Sequence, residues 1–222
     1  MGRRAWLVVL VLALAVGLGL PVRAQRQDAA RYPVRSADLS EARELLAGLP
    51  VREPAAEAGY ERERFGSGWG DLDRDGCDTR QEVLARDLRD AVLDADGCTV
   101  LSGSLPDPYT GATITFARGA GSADVQIDHV VALSDAWRTG AQDWDARRRA
   151  AFANDPANLL AVDGGANQDK GGSDAAQWLP TSGYACAYVV RQVRVKAAYG
   201  LWVVPDEARA MRRTLTGCRT VP

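Results

Sequence analysis

The spacing of apolar residues changes several times along the chain, and each change marks an element. In "SADLSEARELLAGLPV" Leu39, Leu45, Leu46 and Leu49 form a stripe. Ser36 or Ser40 can cap it, and Gly48 and Pro50 end it, which predicts a short helix. "TRQEVLARDLRDAVLD" carries apolar residues at 83, 84, 88, 91, 92 and 93, the pattern of an amphipathic helix. "CTVLSGSLPDPYTGATITFA" predicts two short strands joined by the turn-forming "PDPYTG", and "VQIDHVVAL" is a further β-like run. "WDARRRAAFAND" predicts a helix that stops before Pro156, and "YACAYVVRQVRVKAAYG" and "PDEARAMRRTLTGC" predict the last two helices. There is no internal repeat. The reading is one α+β domain over residues 60–222, large enough to bury its own core, behind a lead-in over 25–59 that carries the short helix.

The first residues read differently. Two arginines precede an apolar run from Ala5 to Leu20, and Val22 and Ala24 are small residues placed for a signal peptidase. This predicts a secretory signal peptide over residues 1–24. The alternative, an uncleaved anchor, is disfavoured because the run falls short of the roughly twenty residues that span a bilayer. The expected location is therefore secreted, with no stable membrane association after cleavage and a monomer favoured. Four cysteines in an exported chain predict two disulfides. Of the three pairings, Cys77–Cys98 and Cys186–Cys218 would each staple the ends of one local unit. No CxxC spacing points to a metal-thiolate site.

Charge narrows the function. The chain has 27 basic and 29 acidic side chains, and losing residues 1–24 removes three arginines and no acid. A broadly basic nucleic-acid binder is excluded, so any phosphate-binding surface must be local. The chain also has a single histidine, His129, directly after Asp128. Downstream, "NDPANLLAVDGGANQDKGG" places Asn158 before a short apolar run, then a glycine turn, Asn167 and Lys170.

"DHVVALSDAW", "NDPANLLAV" and "NQDKGGSDAAQWLP" together resemble the HNH endonuclease family, most closely the secreted branch related to the C-terminal nuclease domain of GmrSD restriction enzymes. The resemblance runs from "GWGDLDRDGCDTR" to the chain end. It implies a ββα-metal (HNH/His-Me finger) core that clamps one divalent cation, Mg²⁺ or Mn²⁺, and hydrolyses phosphodiester bonds of DNA, with RNA not distinguished. Carried over, His129 is the general base, Asp128 and Asn167 hold the metal, and Asn158 fixes the loop through backbone hydrogen bonds. The chemistry needs these types: an imidazole titrates near neutrality, and oxygen ligands suit a hard cation. The last position is Asn, so the motif reads H-N-N. Adjacent strand residues face opposite ways, so Asp128 and His129 share a site only where the strand bends or ends. Lys170 and Arg80 are candidates for holding substrate phosphate.

A second metal signature stands in "DLDRDGCDTRQE", which matches the EF-hand loop pattern. Asp71, Asp73, Asp75 and Glu82 would supply carboxylates and Cys77 a carbonyl to a separate structural Ca²⁺. No convincing helix precedes it, and an acidic turn with Asp78 or Thr79 capping the next helix explains the same letters. The competing functional class is accordingly a non-catalytic extracellular calcium-binding module.

Overall fold

The computed structural model describes residues 31–221; the signal-peptide region lies outside the described residues. Of the elements that lie wholly among the described residues, helix α1 (Ser36–Gly48) comes first, followed by a 3₁₀ turn at Arg62–Phe65 and helix α2 (Thr79–Asp87). Strands β1 (Arg89–Leu93), β2 (Val100–Pro106) and β3 (Thr113–Ala117) form an antiparallel sheet in that order. Strand β4 (Val125–His129), helices α3 (Leu133–Arg138) and α4 (Ala146–Ala153), and strand β5 (Leu159–Asp163) follow. Helices α5 (Gly164–Lys170), α6 (Ala185–Tyr199) and α7 (Pro205–Gly217) complete the chain. The architecture is mixed α+β with small sheets.

Strands β4 and β5 pair antiparallel, with Asp128 opposite Leu160 and His129 opposite Leu159. "LLAV" is apolar at every position because β5 is covered on both sides. Leu159 and Ala161 join Val125, Ile127 and the α2 residues Val83 and Leu84, while Leu160 and Val162 pack with α1, α6 and α7. Alternating side chains of one strand thus enter two different cores. Gly164 closes the hairpin at a close approach. A Cβ there would lie 2.4 Å from the Ala123 carbonyl oxygen, and the Gly164 amide donates to the Asp124 carbonyl at 2.9 Å.

Two elements differ from the sequence expectation. The helix expected over "TRQEVLARDLRDAVLD" ends at Asp87, and Arg89–Leu93 is a strand paired with β2. Ala91, Val92 and Leu93 are consecutive and cannot share one helical face. Asp90, at φ 51°, breaks the helical path, and the backbone finds its partners across the sheet instead. "VVAL" leaves the strand after His129, and Leu133 opens helix α3, whose buried face carries Leu133, Ala136 and Trp137.

Helix α1, read as part of a lead-in, buries Leu39, Ala42 and Leu46 in the same core as Val189, Val193 and Met211. Arg194 on α6 reaches back to Asp38 at 2.7 Å. Deeper in, Lys196 of α6 pairs with Asp135 of α3 at 2.8 Å and Glu207 of α7 at 2.7 Å, all three buried. Burial alone would discharge Lys196, but the two carboxylates outweigh it and raise its pKa. Among the described residues no helix is long and apolar enough to cross a membrane.

Both disulfides have the expected pairing, with Cα–Cα distances of 5.2 Å for Cys77–Cys98 and 5.7 Å for Cys186–Cys218. The first ties the approach to α2 to the β1–β2 turn; the second ties α6 to the end of α7. Proteolysis of unreduced protein followed by mass spectrometry is expected to recover these two cross-links and no free thiol. Replacing Cys77 and Cys98 with alanine should lower stability by about 3 kcal/mol on the loop-entropy model, read by urea denaturation.

Candidate active site

Strand β4 stops at His129, and this lets neighbouring residues share one site. After it, the backbone turns and is held by Asn158. The Val131 amide donates to Asn158 Oδ1 at 2.8 Å, and Asn158 Nδ2 donates to the Val131 carbonyl at 3.2 Å. The Val130 amide adds a bond to the Asn158 carbonyl at 2.8 Å. Asn158 is fully buried, so its side chain acts as a backbone-like clamp on the loop leaving His129.

His129 is buried, and its ring stacks on Trp69 with centroids 5.7 Å apart and planes 13° apart. Its Nε2 lies 2.8 Å from the Ala153 carbonyl oxygen. A carbonyl only accepts, so Nε2 carries the proton and Nδ1 keeps its lone pair. Burial depresses the imidazolium, and the nearby charges of Arg62 and Lys170 depress it further. The pKa falls to about 3, despite the opposing bond to Ala153. The ring is therefore neutral at ordinary pH.

Asp128 is buried beside it. Lys170 Nζ donates to Asp128 Oδ1 at 2.9 Å and to the His129 carbonyl at 3.0 Å, while Tyr109 Oη donates to Asp128 Oδ2 at 2.5 Å. Burial raises the Asp128 pKa, and Lys170 and Tyr109 oppose that shift. Asp128 pushes the fully buried Tyr109 phenol upward in turn, after burial itself. Tyr109 is placed by Asp107, which accepts from the Thr110 amide at 2.7 Å and from the Asp163 amide at 3.0 Å. The "PDPYTG" turn thereby joins the end of β5.

Asn167 sits on α5, with Nδ2 donating to Gln126 Oε1 at 2.9 Å. Asp128, His129 and Asn167 line one cleft of about 220 Å³, together with Tyr60, Arg62 and Ser134. These residues fit a hard cation. Asn167 Oδ1 is the amide atom left to ligate, and Lys170 and Tyr109 use two of the roughly four lone-pair directions of the Asp128 carboxylate.

The two basic candidates lie elsewhere than expected. Lys170 is not on a solvated turn: its side chain is wholly buried as the partner of Asp128. Its long stem lets the last residue of α5 reach back under the hairpin. Arg80 Nη2 is directed at the backbone carbonyls of Ser122 and Val125, at 3.4 and 3.2 Å. It is absent from the residues that line the His129 clefts.

In the acidic loop, carboxylates of Asp71, Asp73 and Asp75 come within 4.8 Å of one another, and Glu82 is not in that group. Asp71 accepts from the Arg74 and Gly76 amides, and Asp75 accepts from the Cys77 amide. The only helical turn shortly before the loop is the 3₁₀ turn at Arg62–Phe65, and Asp78 caps α2 by accepting from the Gln81 amide at 2.9 Å. Glu82 is pushed above the usual carboxyl range by burial and then by the surrounding aspartates.

Tyr109, Trp69 and Arg62 were not singled out from sequence. The glycine-flanked aromatic in "GSGWG" was a weak signal for Trp69; nothing local marks Tyr109 or Arg62.

A sequence profile of the GmrSD restriction endonuclease C-terminal domains matches residues 78–214. The chain belongs to that family. It is also similar to an uncharacterized secreted protein of Arthroderma benhamiae, 40% identical over 182 residues, which span 81% of this chain and 85% of the relative. No solved structure matches.

Because His129 is the only histidine, its state can be read without ambiguity. A long-range ¹H–¹⁵N spectrum of the imidazole should show the Nε2–H tautomer and no protonation between pH 5 and 8. The folded pKa lies below the ordinary value, so unfolded chain takes the proton first. The stability contributed by neutral His129 is complete above about pH 6.5 and declines as pH falls toward 3. An ordinary midpoint near 6.5 in the folded protein would contradict this.

Proposed function

We propose that the chain is a secreted, metal-dependent HNH endonuclease that hydrolyses phosphodiester bonds of DNA. The β4–β5 hairpin and α5 serve as its ββα-metal core. One observation carries the reading: Nε2–H of His129 is committed to the Ala153 carbonyl, which leaves Nδ1 free to act as a base on a residue that lines one cleft with Asp128 and Asn167. His129 Nδ1 accepts the proton of a water whose oxygen bonds to phosphorus; the negative charge of the seated phosphodiester counters the depression that burial imposes on the imidazolium. The P–O bond to the sugar leaving oxygen breaks, and that oxygen is protonated from solvent. Asp128 and Asn167 would hold Mg²⁺ or Mn²⁺, which when bound supplies charge neutralisation at the phosphate. Asn158 keeps the loop after His129 in register, and Lys170 and Tyr109 hold the Asp128 carboxylate in place. The two disulfides and the secreted relative support an extracellular location.

The convergence of Asp71, Asp73 and Asp75 favours a second reading, a structural Ca²⁺ loop distinct from this site. In that case Ca²⁺ raises the melting temperature, and Asp73→Ala with Asp75→Ala abolishes the rise while cleavage persists. Calorimetry that detects no Ca²⁺ binding at millimolar concentration leaves only an acidic turn.

Plasmid nicking tests the main proposal. His129→Ala should lower the rate by about 10²–10⁴-fold while the variant remains folded by circular dichroism. Activity should vanish in EDTA and return with Mg²⁺ or Mn²⁺. A folded His129→Ala variant that nicks at the parent rate would overturn the assignment of the base.

A further inference from the structure

Residues 60–70 arch over the exposed edge of the His129 site, outside the segment matched by the family profile. Both ends of the arch are pinned. Phe65 is buried among Val131, Leu133, Trp137 and Phe152, and Tyr60 meets Phe65 and Trp137 edge-on. Arg149 Nε donates to the Arg64 carbonyl at 3.0 Å, so helix α4 holds the 3₁₀ turn from outside. At the other end the Gly70 amide donates to Asn154 Oδ1 at 2.8 Å, next to Ala153, whose carbonyl orients His129. Trp69 lies flat on the imidazole.

Arg62 opens the 3₁₀ turn of this arch. It lines both clefts that reach His129, one with Trp69 and Phe65 and the other with Asp128 and Asn167. Among the described residues it is the only cationic side chain lining either cleft. It is exposed, and its side chain forms no ion pair or hydrogen bond among the described residues, although its charge is felt at His129. The clefts differ in charge. The Trp69 side also carries Glu63, whereas on the Asn167 side the charge of Asp128 is already met by Lys170. An anion therefore meets the net positive field of Arg62 on the Asn167 side.

We infer that Arg62 is the substrate-phosphate residue of this site. Its guanidinium would take the non-bridging oxygens of the phosphodiester seated between His129 and Asn167. A planar fork of N–H donors suits two phosphate oxygens at once, and it remains charged at any working pH. This rests on the nuclease reading above and adds the residue that binds the scissile group, supplied by a segment N-terminal to the hairpin.

Two measurements on the full chain test it. In plasmid nicking with Mg²⁺, Arg62→Ala should lose about 10²-fold in rate, as for removal of one donor to a developing oxyanion, and Arg62→Lys should recover part of it. In anisotropy with a fluorescent DNA duplex and excess EDTA, where no cleavage occurs, Arg62→Ala should weaken binding. It should also reduce the slope of log affinity against log salt by about one phosphate contact. The Arg62 side chain makes no hydrogen bond or ion pair among the described residues, so the melting temperature should not move. A parent that nicks DNA with Arg62→Ala at the same rate overturns the inference and spares the nuclease reading. A parent that never nicks, but whose duplex binding falls with Arg62→Ala, removes the nuclease reading and keeps Arg62 as a phosphate contact. Unchanged duplex binding and salt slope in Arg62→Ala count against that contact in either case.

Discussion

The site depends on a carboxylate that has been taken out of water. Asp128 sits at the end of a strand with almost no exposure, where an unpaired charge would be costly. Lys170 and Tyr109 remove that cost, and each comes from a different part of the chain. Lys170 closes α5, so the hairpin and the helix after it must be folded before Asp128 is satisfied. Tyr109 closes the turn between β2 and β3, which binds the three-stranded sheet to the hairpin. One buried charge thus couples three elements, and none of them can shift without exposing it.

The imidazole is arranged by a related economy of partners. A buried histidine with one carbonyl neighbour has its tautomer decided by that neighbour, since the carbonyl can only accept. The carbonyl belongs to Ala153, at the end of α4, and Asn154 beside it anchors the arch that carries Trp69. Helix α4 therefore fixes the ring through the Ala153 carbonyl and, through Asn154, anchors the segment that carries the stacking indole. Asn158 then fixes the loop that leaves His129, so the histidine backbone and its side chain are constrained independently.

The family match and the geometry bear on different levels. The match covers residues 78–214 and defines what kind of domain this is. The arch at 60–70 lies before it, yet its aromatic side chains are part of the core beside α3 and α4. Helix α1 likewise packs into the main core through Leu39, Ala42 and Leu46. The described residues that precede the matched segment are thus structurally continuous with the rest.

Local pattern was enough for much of this protein. The apolar stripe of α1, the alternating runs of β2 and β3, the stops at Pro156 and Gly200 and the pairing of nearby cysteines are all short-range properties, and the chain displays them openly. Asp128, His129, Asn158 and Asn167 were legible for the same reason, because a hairpin and its following helix keep them within forty residues. What tertiary structure decided was long-range. Leu88 to Leu93 left the helix because β2 offered its backbone a better set of partners than another helical turn. Lys170 became an internal counter-ion, because whether a lysine meets water or a carboxylate depends on what folds over it. Tyr109 reaches the site from one loop and Arg62 and Trp69 from another, and no spacing in a sequence records which loops will meet around one histidine.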